Sequence, residues 1–202
     1  LILIEDASEA FGTFYKKKHA GTFGLCGAIS FNGNKIITTG GGGAILTNSR
    51  KIFNSIQFLA SVAKREVENT AKYDQVGYNY KMPSLNAALG ISQLNKIKLI
   101  KDQKFLNYLK YKKFFKKNNF FTFMNNENLD SSNYWLNYII FRNDKLLNKK
   151  FFNFFDSKNI EVRKIWALNS NGKLYKKYPK MDLKISKYLS KRIVCIPSGV
   201  FK

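Results

Sequence analysis

The chain has 202 residues, 45% hydrophobic and 24% charged, a balance that excludes a disordered polymer and suffices to bury a core in one or two domains. No apolar run approaches the roughly 18 residues a membrane-spanning helix needs, and the opening LILIED meets an acidic pair after its first apolar residues, unlike a secretory signal. The formal net charge of +22 invites a nucleic-acid partner, yet the lysines are scattered among Asn, Phe, Tyr and Ile, as in YLKYKKFFKKNNFF and LYKKYPK. Those are residues that an AT-rich coding sequence over-supplies, so compositional drift explains the charge without nucleic acid, and a membrane partner is not expected either.

Taken in chain order, LILIED (1–6) reads as a short buried strand of a parallel sheet with Asp6 at its carboxyl end, the end where open α/β sheets bind ligands. A polar, glycine-punctuated loop follows, then strands at 27–32 (GAISFN) and 42–48 (GGAILTN). The spacing predicts a helix over 49–68 capped by Ser49, and another opening near Ser84 and running on to about residue 115. Beyond about residue 101 the pattern becomes α+β: a strand at 133–141, a helix over KLLNKKFFNFFDSKN, a strand at 160–166, then a helix running into a strand in ISKYLSKRIVCIPS. Two domains are therefore expected, 1–100 and 101–202. Cys26 and Cys195 form no metal-spaced cluster and read as reduced thiols of a cytoplasmic protein; no metal site can be assembled from so few ligands.

The stretch SFNGNKIITTGGGG places Lys35 between a polar turn and a glycine run, beside which a backbone can come close to a small charged ligand. With Asp6 at a strand end and Ser30 between them, the set matches what pyridoxal phosphate demands. A carboxylate keeps the pyridine nitrogen protonated, a lysine forms the Schiff base, and hydroxyl and backbone N–H groups hold the phosphate. A free lysine amine titrates near ~10.4, so the site must desolvate it or surround it with positive charge.

Three ordered segments, EDASEAFGTFYKKKHAGTFG, AISFNGNKIITTGGGGAILTN and DQVGYNYKMPSLNAALGISQL, resemble the DegT/DnrJ/EryC1/StrS sugar aminotransferases. The wording NGNKIITTGGGG, with IEVRKIWALN and CIPSG, is most similar to the LegC-type branch. The resemblance implies an α/β chain, a partial fold type I pyridoxal-phosphate transferase. Residues 1–100 would be the C-terminal part of an aspartate aminotransferase-like large domain that lacks its N-terminal part, and 101–202 a smaller α+β domain. It implies transfer of an amino group from glutamate, through pyridoxal 5'-phosphate, to a nucleotide-linked 4-keto-6-deoxy sugar, UDP-linked and N-acetylated, for surface polysaccharide or glycan synthesis. Lys35 is then the cofactor lysine and proton shuttle, Asp6 the partner of the ring nitrogen, Ser30 a phosphate ligand, and Glu9 a neighbour of the phenolic oxygen. Asn79, in GYNYK, would reach the cofactor of a second subunit, which implies a homodimer.

Plainer readings stand beside these. Glu9 is equally a solvated carboxylate, Asn79 a turn former, Trp166 and Arg163 either sugar-site residues or a packed aromatic and a surface ion pair, and His19, among lysines, a solvent-facing side chain. Lys81 stands where the family context has arginine, and Ser170 where the branch has histidine, which puts pairing and sugar recognition there in question. Related dehydratases carry histidine at the cofactor-lysine position, so Lys35 favours transfer. An inactive truncated relative and a basic nucleic-acid-binding protein are the alternatives.

Overall fold

The structure is a computed structural model and describes residues 1–124 and 132–200. It divides into two compact units. The first holds Leu1–Lys101 with Ser132 and Asn133, and the second the remaining described residues from Asp102 onward.

In the first unit β1 (Ile4–Asp6), a small hairpin β2 (Phe14–Tyr15) and β3 (Lys18–His19), β4 (Cys26–Ser30) and β5 (Gly43–Leu46) come first. Strands β1, β4 and β5 make a three-stranded sheet in that order, β1 parallel to β4 and β5 antiparallel to it. The register pairs Asp6 with Ala28 and Ser30 with Gly43, so Asp6 and Ser30 fall on one face, opposite buried Ile29. The expectation of a buried first strand is corrected: β1 is an edge strand, and Leu1 to Ile4 are exposed, Ile4 by 67%.

Helix α1 (Arg50–Leu59) begins where Ser49 accepts a hydrogen bond from the Ile52 N–H at 3.4 Å. It stops well short of residue 68 because Val62 and Ala63 take φ of +56° and +51°, outside helical space. The chain turns into an exposed hairpin, β6 (Lys64–Val67) and β7 (Thr70–Tyr73), whose loop residues Glu68 and Asn69 both have positive φ, as a twist-matched two-residue hairpin requires. The long helix expected from Ser84 is two helices, α2 (Ser84–Leu94) and α3 (Ile97–Phe115), separated at Asn95 and Lys96.

The second unit receives α3 from Asp102 onward and adds β8 (Phe121–Phe123), β9 (Asn137–Phe141), α4 (Lys149–Ser157), β10 (Arg163–Lys164), α5 (Lys184–Ser190) and β11 (Ile193–Ile196). Its sheet has the order β10-β11-β9-β8, antiparallel throughout. Alternate residues of β9 and β11 point inward, so Ile139, Phe141, Val194 and Ile196 form a core with Leu147, closed by Tyr111 and Phe115 of α3 and Phe151 of α4. Lys104 is buried on α3, where its ammonium donates to the Trp135 and Ser198 carbonyls at 3.2 and 2.7 Å; burial pushes its pKa down.

Candidate active site

Parallel pairing brings the carboxyl ends of β1 and β4 to the same edge of the sheet, which is where Asp6 and Ser30 stand. Asp6 accepts the Ser8 N–H at 3.1 Å. The Ser8 hydroxyl and N–H, and more weakly the Lys35 charge, hold its carboxyl below the ordinary value against the opposing effect of burial. Ser30 Oγ accepts the Asn32 N–H at 3.3 Å, and its proton remains to donate.

Lys35 is presented on a tight turn, its N–H on the Asn32 carbonyl at 3.0 Å, with Ile36 and Ile37 buried immediately after it. The turn belongs to a loop closed at its base by Phe31, whose N–H donates to the Gly42 carbonyl and whose carbonyl accepts the Thr39 N–H, both at 3.0 Å. Anchored in this way, the Lys35 side chain is only 13% exposed, and its Nζ lies 3.2 Å from Glu9 Oε1. Lys35, Glu9 and Asp6 thus form one electrostatic group at the carboxyl edge of the sheet.

The glycine run does local structural work. Gly40 and Gly42 take φ of +80° and +89°, and a side chain on Gly43 would collide with the Ile29 carbonyl, so the run lets β5 close onto β4. Gly41 faces open space. Thr39 is buried beside the run, its carbonyl held by the Asn86 side chain at 2.5 Å, and the absence of a side chain at Gly90 makes room for its methyl.

Asn79 lies in the same unit, exposed, in an antiparallel bridge with Ser61, and is no part of the Lys35–Glu9 ion pair. Trp166 and Arg163 belong to the second unit. There Trp166 stacks on Trp135 with centroids 6.1 Å apart, and Arg163 pairs with Glu161. Ser170 sits in the short turn Asn169–Asn171.

One expectation fails outright. His19 does not face solvent: its Nε2 accepts the Gly12 N–H at 2.8 Å and its ring packs edge-on against Phe11 and Phe14. Asn133, distant in sequence, was not singled out by sequence reasoning. It is 5% exposed, and its amide donates to the Glu9 and Phe11 carbonyls. No local pattern signals a hydrogen bond to a loop so far away.

The donor set fits pyridoxal phosphate. A screened amine, a carboxylate kept ionised at a strand end within reach of that amine's charge, and a hydroxyl on the neighbouring strand end are what an aldehyde, a pyridinium and a phosphate call for. Among the described residues no cluster of His, Cys, Asp and Glu could hold a metal ion, and no helix is long and apolar enough to cross a membrane.

The architecture is that of a fold type I transferase, in part. A solved structure of Helicobacter pylori PseC, an aminotransferase involved in the biosynthesis of pseudoaminic acid, matches with a TM-score of 0.88 at 24% identity, over 99% of this chain and 55% of that one. The chain belongs to the DegT/DnrJ/EryC1/StrS aminotransferase family, whose pattern it matches over residues 1–200. It is 34% identical over 201 residues to EpsN of Bacillus subtilis (strain 168), whose name places it among pyridoxal phosphate-dependent aminotransferases; the match covers 98% of this chain and 51% of that protein. It is 43% identical over 94 residues to the GDP-perosamine synthase of Escherichia coli O157:H7, covering 46% of this chain and 26% of the synthase. The chain thus spans about half the length of the relatives it matches from end to end.

Proposed function

We propose that this chain carries the cofactor lysine of a pyridoxal-phosphate sugar aminotransferase. In this reading 1–100 is the C-terminal part of the cofactor-binding domain and 101–202 the small domain. The observation that carries the reading is the group formed by Lys35, Glu9 and Asp6 at the carboxyl edge of the sheet. Family membership supports it.

When bound, pyridoxal phosphate supplies an aldehyde that condenses with amines and a ring that accepts electrons from the carbon beside them. The chain's own residues do the rest. Asp6, ionised at neutral pH, would pair with the ring nitrogen and keep it protonated. Ser30 would donate its hydroxyl proton to the phosphate. Lys35 Nζ would hold the aldehyde, and as a free amine it would take a proton from one carbon and return it to another. Glu9, 3.2 Å from Nζ, receives the ammonium charge each time the lysine is free and fixes the direction in which it points. Asn79, exposed, reaches the phosphate site of a second subunit, which makes the assembly a homodimer.

The amino donor is glutamate and the acceptor the 4-keto group of a nucleotide-linked 6-deoxy sugar, UDP-linked and N-acetylated, feeding surface polysaccharide or glycan synthesis. Cys26 and Cys195 form no disulfide, which suits a reducing cytoplasm. The test is amino transfer itself. Protein, cofactor, glutamate and a UDP-linked N-acetylated 4-keto-6-deoxy sugar should yield 2-oxoglutarate and the 4-amino sugar by mass spectrometry. Product from a GDP-linked acceptor alone would overturn the nucleotide assignment. No product and no 2-oxoglutarate from either would overturn the function.

A further inference from the structure

The loop that carries Glu9 is held by side chains far from it in sequence. Within the loop, the Ala10 N–H donates to the Ala7 carbonyl and the Thr13 N–H to the Ala10 carbonyl, at 3.0 and 2.9 Å. The Glu9, Phe11 and Gly12 carbonyls are satisfied from outside. Asn133 Nδ2 donates to Glu9 O at 2.7 Å and to Phe11 O at 3.1 Å, and its own N–H donates to Thr13 Oγ1 at 3.2 Å. Lys101 Nζ reaches the Gly12 carbonyl at 2.5 Å, and His19 receives the Gly12 N–H.

We propose that Asn133 is a positioning residue that fixes the Glu9 backbone so that the Glu9 carboxylate stays against the Lys35 amine; its consequence for catalysis rests on the function proposed above. The geometry is specific. Asn133 is nearly fully buried while the Glu9 side chain is 48% exposed. A half-exposed carboxylate on an untethered loop would sample many rotamers, and an exposed ion pair gains little under such freedom. Bonding two alternate carbonyls from one buried amide removes the loop's rocking about Ala10 and leaves Glu9 only its own torsions. Without those bonds, two part-buried carbonyls lose their donor and the loop relaxes toward water.

The test needs no cofactor. Limited acetylation with acetic anhydride, read by peptide mass spectrometry and normalised to exposed Lys51, reports how well Lys35 is paired and screened. Glu9→Gln should raise Lys35 labelling about twofold to fivefold, the scale of a partly exposed ion pair. Asn133→Ala should raise it by the same factor, and the double variant no further. Asn133→Ser, which keeps a shorter hydroxyl donor, repeats the comparison in a fold less disturbed, with an intermediate rise expected. Wild-type labelling in folded Asn133→Ala or Asn133→Ser, with only a lower melting temperature, would overturn the proposal, as would full additivity in the double variant. Cofactor uptake is measured separately. A chain that meets these labelling outcomes yet takes up no pyridoxal phosphate supports the positioning of Glu9 and overturns the functional reading instead.

Discussion

The Lys35 amine and the Glu9 carboxylate stand 3.2 Å apart although 26 positions separate them in sequence. Two anchored loops bring this about. The Lys35 turn is pinned by buried Ile36 and Ile37, and the Glu9 loop hangs from the end of β1 at Asp6. The pair is therefore a product of strand pairing, because β1 and β4 run in the same direction and deliver both loops to one edge.

The nearby Asp6 should titrate in a ranked way. Its carboxyl is held below the ordinary 3.8 first by the Ser8 hydroxyl, then by the Ser8 N–H, with the Lys35 charge a smaller contribution. Ser8→Ala should therefore raise the Asp6 midpoint more than Lys35→Met does, as followed by carbon NMR of the Asp6 carboxyl. An equal or reversed order would show that the Lys35 charge controls this carboxylate.

Glu5 predicts an acid-sensitive sheet edge. Burial raises its pKa, but the N–H groups of Gly24, Gly21 and Phe23, with Lys18, outweigh that effect and leave the carboxyl below its ordinary 4.5. Those bonds measure 2.6, 2.7 and 2.5 Å. A carboxyl depressed on folding adds stability above the unfolded value and loses it as pH falls through the folded one. Urea unfolding of wild type and Glu5→Gln should accordingly differ at pH 7, and the gap should shrink as pH falls below the ordinary 4.5. A gap that stays constant over that range would assign those N–H bonds no electrostatic role.

Within the glycine run, adjacent positions should behave oppositely. Gly43→Ala forces a methyl into the Ile29 carbonyl and should cost about 2 kcal/mol or more. Gly41→Ala meets nothing within 4 Å and should leave the melting temperature within a degree or two of wild type, roughly the scatter of neutral surface changes. If both substitutions are tolerated, β5 does not need its close approach to β4.

These cases also mark what the sequence made legible. Strands β1, β4 and β5 announced themselves as short apolar runs, and Ser49 as a cap, because those signals are local. The α1 boundary was hidden because Val62, a β-branched residue, and Ala63 adopt positive φ that nothing in their identity suggests. Strands β2, β3 and β8 run three residues or fewer, too short for any period to emerge. The break between α2 and α3 falls at Asn95 and Lys96, where neither proline nor glycine interrupts the pattern. His19 and Asn133 escaped for a further reason: each serves a loop elsewhere in the chain, and side chain to backbone bonds of that range leave no periodic trace.

Whether Lys35 is the amine that takes the cofactor can be measured chemically. The chain is mixed with pyridoxal phosphate, reduced with borohydride and digested. The reduced cofactor should be found by mass spectrometry on the peptide containing Lys35, and be lost from that position in Lys35→Arg, which keeps the charge beside Glu9. Label spread over the exposed lysines with Lys35 unmodified, or unchanged total incorporation in Lys35→Arg, would rule Lys35 out as the cofactor lysine.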